Sequence, residues 1–532
     1  MSIVSGQFIL FLAVLLCVYF VIPKRYQWIL LLVGSYIYYL LSDAKMIALM
    51  MLTTATVFLC GKLISATYDQ QKQALKDQDK QWLAENKKRV IADHTRKRKR
   101  ILLVGLLLNL GILAFIKYYG FVADNINAML ASFSWKSALP EFDLLLPLGI
   151  SFYTFQSLGY LIDVYRGKYA AEQNPFRFAL FVSFFPQIIQ GPISRFDQLA
   201  EQLYAPHDFD YSRVKRGVLR IGWGFFKKLV IADRAAIVVQ YMLGHSEHFA
   251  GLEVAFGVVL FMIQIYADFS GGMDIALGVA RAMGIEMVEN FRRPHFAVSI
   301  SDYWRRWHIT LGAWMKDYLL YSLSLSKAFA RLGRWTKKRM GNRWGRMVPS
   351  AIAMWVVFMA VGIWHGADWK FIIFGVYNGL LIVFELIWDT AYQAYALKHP
   401  RLTVANPWIR ALALIKTLFL VFIGKYFSMA NSAPQAFAML KSTFTTCSMK
   451  ALIDVPNQIP QFGYQNMLTL VLALGALIWV SVMQEKGVDV LGALERKPIA
   501  VRWLVYYAVL FSILLLGMGG EGIMKGFMYA NF

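Results

Sequence analysis

The chain has 532 residues, 58% of them apolar and only 16% charged, with a formal net charge of +23 at neutral pH. With a positive mean hydropathy, this excludes a soluble domain of ordinary composition and calls for hydrocarbon as the solvent of much of the chain. The basic residues flank apolar stretches instead of gathering on one globular face, which argues against a nucleic-acid partner.

A bilayer core of about 30 Å takes roughly 20 apolar residues in a helix. Residues 1–23, 26–42 and 46–61 are the first candidates. No basic region precedes the first and no cleavage site follows it, so it reads as a retained span and not a signal peptide. Residues 68–100 carry eleven Lys or Arg and end in RKRKR (96–100), which suggests a solvated cytoplasmic helix. Residues 101–116 are again plainly apolar, whereas 143–165, 178–194, 217–243 and 250–267 carry charges or are broken by Gly and Pro. Residues 327–346 hold eight basic residues and no acid, a second cytoplasmic signal. Segments 348–364, 371–388, 408–429, 467–484 and 503–520 complete the series.

The expectation is an all-α polytopic membrane protein with about 11 transmembrane helices, plus re-entrant and interfacial ones, around a central tunnel. The positive-inside rule puts the N-terminus outside, Lys24 and Arg25 inside, residues 120–142 outside, ALKHPR (396–401) and ERKPIAVR (495–502) inside, and the C-terminus outside. Three parts are expected: N-terminal spans and a basic loop (1–100), a core (101–395) whose apolar segments are interrupted by Gly, Pro, Arg and His, and C-terminal spans (396–532). No repeat of 20 to 50 residues is visible, which weakens a transporter built from repeats. Cys17, Cys60 and Cys447 show no CxxC spacing and suggest neither a metal nor a disulfide framework.

Polar residues at membrane depth are costly unless paired or facing water, so their positions mark candidate sites. In PLGISFYTFQSLGYLIDVYRG (147–167), Ser151, Tyr153, Thr154, Gln156 and Asp163 interrupt an apolar sequence. In FFPQIIQGPISRF (184–196), Pro186, Gly191 and Pro192 break a helix where irregular backbone survives only if buried in protein or lining a cavity. YADFSGGMDIALGVARAMG (266–284) sets Asp268 and Asp274 about an expected Gly271–Gly272 break. The fourth region joins SISDYWRRWHITLGAWMKDYL (299–319) to WHGADW (364–369) and contains the two histidines of interest, His308 and His365. His94, His245, His248 and His399 sit in polar or basic surroundings, and His207 and His295 read as loop residues. YWRRWH has the composition of an interfacial aromatic and basic anchor as well as of a site. His365 lies between Trp364 and Gly366, with Asp368 three residues on. If the helix continues, Asp368 shares its face and can orient the imidazole; if Gly366 ends it, that pairing lapses.

The order FFPQIIQGPISRF, IYADFSGGMDIALG, SISDYWRRWHITLGAWMKDYL, GIWHGADW resembles the membrane-bound O-acyltransferases, in the bacterial branch of the alginate O-acetylation and teichoic-acid D-alanylation proteins. The similarity covers roughly residues 147–380, and the ending FMYANF (527–532) is similar to the aromatic ending of alginate-type members. It implies tilted helices ringing a thin central partition, with His365 as the essential histidine and His308 as a supporting one. Two departures stand out: Asp368 where alginate-type members often have Asn, and a basic ENFRRPHF (289–296) in place of an Asn-rich aromatic stretch. Supporting or donor-binding candidates are Asp368, Trp364, Asp302, Arg305, Arg306 and Trp307. Gln156, Gln190, Pro192, Arg195, Asp268 and Ser270 are candidates to line the tunnel, and no residue is assigned to a metal.

The chemistry of the residues agrees. Transfer of an acyl group from a thioester to a hydroxyl needs a base, and neutral imidazole suits it. The chain has no GxSxG nucleophile elbow, so direct attack by the acceptor is simplest, with a covalent acyl relay as the alternative. His365 would activate the hydroxyl while His308 positions the donor or stabilises developing charge. The resemblance implies no bound cofactor but a thioester co-substrate, acetyl-CoA or an acyl carrier protein. It implies as partners membrane lipid, an extracytoplasmic polysaccharide or lipid-linked glycan, and in some versions an extracytoplasmic acyltransferase. The expected location is the bacterial plasma membrane. D-Alanyl transfer from a carrier protein to teichoic acid is the alternative within the family, disfavoured by chain length. A transporter with an intramembrane His/Asp proton relay is the alternative outside it.

Overall fold

The computed structural model describes residues 1–76, 78–135, 139–140, 142, 149–399, 402–446 and 448–518. Cys447 and FMYANF lie outside them. Among the described residues all regular structure is helical. The chain divides into two compact units, Met1–Gly217 with Val279–Val288, and Val218–Gly278 with Glu289–Phe532, a different partition from the three sequential parts expected.

Eight helical runs among the described residues are long and apolar enough to cross a membrane: Lys24–Lys76, Lys80–Ser132, Leu252–Ala282, Asn342–His365, Trp369–Lys398, Pro407–Met429, Gly463–Glu485 and Ile499–Leu516. The last has no buried residue. An 18-residue helix whose one charge, Arg502, lies in its first turn and whose remaining length is apolar and unburied is stable only with hydrocarbon around it, so this is a multi-pass membrane protein. The other expected segments are joined to a neighbour, shorter or broken. Segments 26–42 and 46–61 form one run, because Gln27–Asp43 and Ile47–Lys76 are joined by the single 3-10 turn Ala44–Met46. Gly6–Val21 is apolar throughout but only 16 residues long. Residues 178–194 are broken into Pro175–Ser183 and Phe185–Gln190, and residues 191–195 are non-helical.

In the first unit, Asn174 caps Pro175–Ser183 by accepting from the Phe176 and Arg177 N–H groups, with Pro175 in the first turn where its missing N–H costs nothing. Ile150–Tyr165 is buried along nearly its whole surface. Of its polar residues, Gln156 is satisfied locally: its Nε2 donates to the Phe181 carbonyl at 2.7 Å and to Gln187 Oε1 at 3.0 Å. Gly105 permits close approach to this helix, since a Cβ there would stand 2.6 Å from Leu161.

In the second unit, the expected break at Gly271–Gly272 is absent, and Leu252–Ala282 is a continuous helix of 31 residues. Gly271 serves contact instead: a Cβ on Gly224 would meet its carbonyl oxygen at 2.6 Å, and a Cβ on Gly271 would meet the Gly224 oxygen at 2.9 Å. Two backbones touch there, a mode of helix association suited to a membrane because small residues let van der Waals contact replace the missing hydrophobic drive. Just beyond Gly224 the chain widens into the π-helical segment Phe226–Ala232, the kind of local irregularity that frequently accompanies functional regions. Gly224→Ala is therefore expected to lower the thermal stability of the detergent-solubilised protein by about 1–3 kcal/mol. Gly111→Ala, where a Cβ would meet nothing within 4 Å, serves as the neutral control in the same melting experiment.

Candidate active site

His365 is the last residue of Asn342–His365, and Gly366 ends the helix in an extended conformation at φ 177. A side chain at Gly366 would collide with the Phe371 ring at 2.3 Å. One turn earlier, a Cβ on Gly362 would lie 2.5 Å from the Phe371 carbonyl oxygen and 2.8 Å from Gly375 Cα. Three glycines thus press the helix against Trp369–Lys398 and bring the His365 ring beside Phe374 at 5.6 Å and Phe371 at 6.3 Å. Of the two outcomes open for Asp368, the structure has the second: its carboxylate caps the following helix, accepting from the Lys370 N–H at 2.8 Å.

The half-buried His365 opens onto a small cavity of about 20 Å³, lined by Ile265, Trp304, Trp307, His365, Phe371, Phe374, Lys425 and Ser428. That is roughly the room for a water molecule. Its walls are aromatic and aliphatic, and its polar groups are an imidazole, an ammonium and a hydroxyl. Lys425 and Ser428 come from Pro407–Met429, a segment expected to be a plain C-terminal span. The signal that could have found them is Lys425 itself, a charge preceded by the apolar stretch TLFLVFIG.

His308 stands behind this cavity and does not line it. It is buried, and the Trp364 indole touches both imidazoles, at 5.7 Å from His308 and 5.0 Å from His365. His308 adopts the left-handed conformation (φ 47) between helices Ile300–Arg306 and Ile309–Trp314, a strained state for a residue with a Cβ. Asn290, fully buried, holds it there. Asn290 Oδ1 accepts from the Thr310 N–H and hydroxyl, both at 2.9 Å, and its carbonyl accepts from the Ile309 N–H at 3.0 Å. With Oδ1 so occupied, the Asn290 amide N–H donates to His308 Nδ1 at 3.1 Å. A neutral ring then carries its proton on Nε2. Burial pushes the His308 pKa well below the ordinary histidine value, so the ring is neutral at pH 7. His295 is held low as well, first by burial and then by the nearby Lys425 charge. Neither histidine supplies a cation. Asn290 and His295 were not among the expected site residues; the pattern offers no periodic signal for an irregular loop.

The remaining expected residues fall into three groups. Trp307 lines the cavity and stacks on Tyr303 at 5.7 Å, while Trp364 packs between the histidines. Arg305 is exposed, its Nε donating to the Ser301 carbonyl, but Arg306 turns the other way. Arg306 pairs with Asp302 at 3.0 Å and with Glu485 at 3.0 Å, and Glu485 also binds Arg293 at 2.6 Å. The expected arginine pair for a phosphate-bearing donor is therefore split, because one member is committed to two carboxylates. Asp268 and Ser270 sit in an ionic network: Lys228 pairs with Asp268 at 2.6 Å and Asp233 at 2.8 Å, and Lys227 bonds Ser270 at 2.9 Å and Asp274 at 2.7 Å, all buried except the half-buried Asp274. Charges at that depth are tolerated because they neutralise one another. Gln156, Gln190, Pro192 and Arg195 belong to the first unit; Gln156, Gln190 and Pro192 are buried and Arg195 half-buried. Among the described residues no group of three or more His, Cys, Asp or Glu is placed to hold a metal ion.

Residues 170–428, a stretch that contains His308, His365, Lys425 and Ser428, match the membrane-bound O-acyltransferase family. A probable alginate O-acetylase of Azotobacter vinelandii is 31% identical over 437 residues, 82% of this chain and 76% of the relative. The chain belongs to the membrane-bound O-acyltransferase family. It is accordingly a membrane-embedded O-acyltransferase. The peptidoglycan O-acetyltransferase of Helicobacter pylori is 30% identical over 350 residues, 61% of this chain and 62% of the relative. The teichoic acid D-alanyltransferase of Bacillus subtilis is 29% identical over 297 residues, 54% of this chain and 69% of the relative.

The split of the two arginines is testable. Arg306→Gln leaves Glu485 and Asp302 short of a partner and is expected to cost about 1–3 kcal/mol of stability, read as a lower melting temperature in detergent. Arg305→Gln is expected to leave the melting temperature unchanged.

Proposed function

We propose that this O-acyltransferase moves an acetyl group from a cytoplasmic thioester, acetyl-CoA, to a hydroxyl of an extracytoplasmic polysaccharide, directly or through an extracytoplasmic acyltransferase that completes the transfer. It works in the bacterial plasma membrane, with both termini outside, as the basic segments at 68–100 and 327–346 argue. Alginate and peptidoglycan are the acceptors named for its O-acetylating relatives, and a glycan of that kind is the acceptor proposed here.

The observation that carries this reading is the cavity at His365. It is small, walled by Trp304, Trp307, Phe371 and Phe374, and holds one imidazole able to act as base. Neutral imidazole accepts the hydroxyl proton as the acceptor oxygen attacks the acyl carbon, and returns it to the departing thiolate. An acetyl group is uncharged, which suits the aromatic lining. D-Alanyl transfer is favoured by the Bacillus relative, but a D-alanyl group carries an ammonium, and the charged group lining this cavity is Lys425, with no carboxylate among the lining residues. Like charges in a low dielectric repel strongly, so the cavity selects against it. An acyl carrier protein as donor would deliver the same thioester chemistry.

Purified full-length enzyme given radiolabelled acetyl-CoA and an acetyl-free polysaccharide is expected to label the glycan. His365→Ala should reduce the rate by about 10² to 10⁴-fold, the contribution of a general base, with a melting curve close to wild type. A variant that transfers normally, or one that fails to fold, would remove His365 from the chemistry.

A further inference from the structure

Acyl transfer builds negative charge on the carbonyl oxygen, and this site must meet it without a cationic histidine, because His308 lies behind the cavity and both His308 and His295 are neutral. The second unit satisfies its other deep lysines within the protein. Lys227 and Lys228 pair with aspartates, and Lys370 Nζ donates to the Ala430 carbonyl at 2.8 Å. Lys425 is different. Only 6% of it is exposed, and among the described residues its ammonium meets no carboxylate and no hydrogen-bond acceptor. It lies over the face of the Trp307 ring, 4.8 Å from the centroid, and borders the same cavity as His365. An indole face offsets part of the cost of a buried ammonium, but leaves its N–H donors without acceptors. A buried charge held that way, beside a reactive imidazole, is a functional feature by default.

We propose that Lys425 is the electrophilic catalytic residue of the transfer, its side-chain N–H donating to the carbonyl oxygen of the acyl group as that oxygen becomes an oxyanion. The inference rests on the acetyl-transfer reading above. The step balances. The acceptor oxygen forms a bond to the acyl carbon and gives its proton to His365; the carbonyl π electrons move onto the oxygen facing Lys425. On collapse the carbon–sulfur bond breaks and the sulfur takes the proton from His365. Ester and thiol are the products, and Lys425 exchanges no proton. Fixed in an aromatic-walled space, such a donor needs no reorganisation at the moment of reaction, which is what makes preorganised groups effective. Trp307, itself stacked on Tyr303, sets the position of the ammonium.

The test is a kinetic series on the purified full-length enzyme with radiolabelled acetyl-CoA and polysaccharide. Lys425→Met, of similar length and apolar, is expected to lower kcat by about 10² to 10³-fold with the KM for acetyl-CoA little changed and the melting curve near wild type. Lys425→Arg restores much of the rate, and Lys425→Gln, a neutral donor, falls between. A Met variant as active as wild type overturns the inference, as does one whose only defect is a raised KM. If Met at this position prevents folding, the Gln variant decides: wild-type kcat there overturns the inference, and an intermediate kcat supports it. A wild-type enzyme that transfers no label overturns the acetyl-transfer reading and this inference with it, whereas an active wild type with an inactive His365→Ala and a normal Lys425→Met overturns this inference alone.

Discussion

A charge or an unsatisfied polar group in hydrocarbon costs several kcal/mol, and this single penalty organises the molecule. It explains why ionic groups of the second unit are drawn to partners: Lys228 between two aspartates, Arg306 between Asp302 and Glu485, Glu385 accepting from the Ile300 and Ser301 N–H groups at a helix start. It also gives meaning to the residues treated otherwise. An imidazole and an ammonium border one small aromatic cavity.

The second requirement is precision, and glycine supplies it. His365 stands where it does because Gly362, Gly366 and Gly375 allow two helices to touch backbone to backbone, and the contact repeats at Gly224 and Gly271, beside Lys227 and Lys228. In a bilayer, where lipid tails are as apolar as leucine, close van der Waals contact of this kind is what holds helices in register. His308 is placed by the opposite device, a strained backbone clamped by hydrogen bonds from Asn290. Such strain persists only where the surroundings over-determine it, and here it turns a neutral ring toward Trp364.

Family membership supplies the class of reaction, and the cavity narrows it. The relatives named above transfer acetyl or D-alanyl groups, which differ by an ammonium. A site whose charged lining residue is Lys425 is better matched to the uncharged group. In the reading proposed above, the residue that would discriminate between the two groups is also the one assigned to meet the charge that develops during transfer.

The sequence by itself determined the solvent, the helical class and the two histidines, because hydropathy, basic flanks and a histidine at the end of an apolar run are local properties written in consecutive residues. The helix breaks about Pro186 and Gly191–Pro192 were legible for the same reason. Gly271–Gly272 read equally as a break, yet the helix runs through it, since glycine marks either a turn or a close contact and only the neighbour at Gly224 distinguishes them. Arg305 and Arg306 look alike in sequence, and only Glu485, nearly 180 residues away, separates their fates. Lys425 and Asn290 lie 60 residues beyond and 75 residues before His365. Their roles come from packing between distant segments, which no local pattern encodes, so the tertiary structure alone decided which polar groups are paired and which face the cavity.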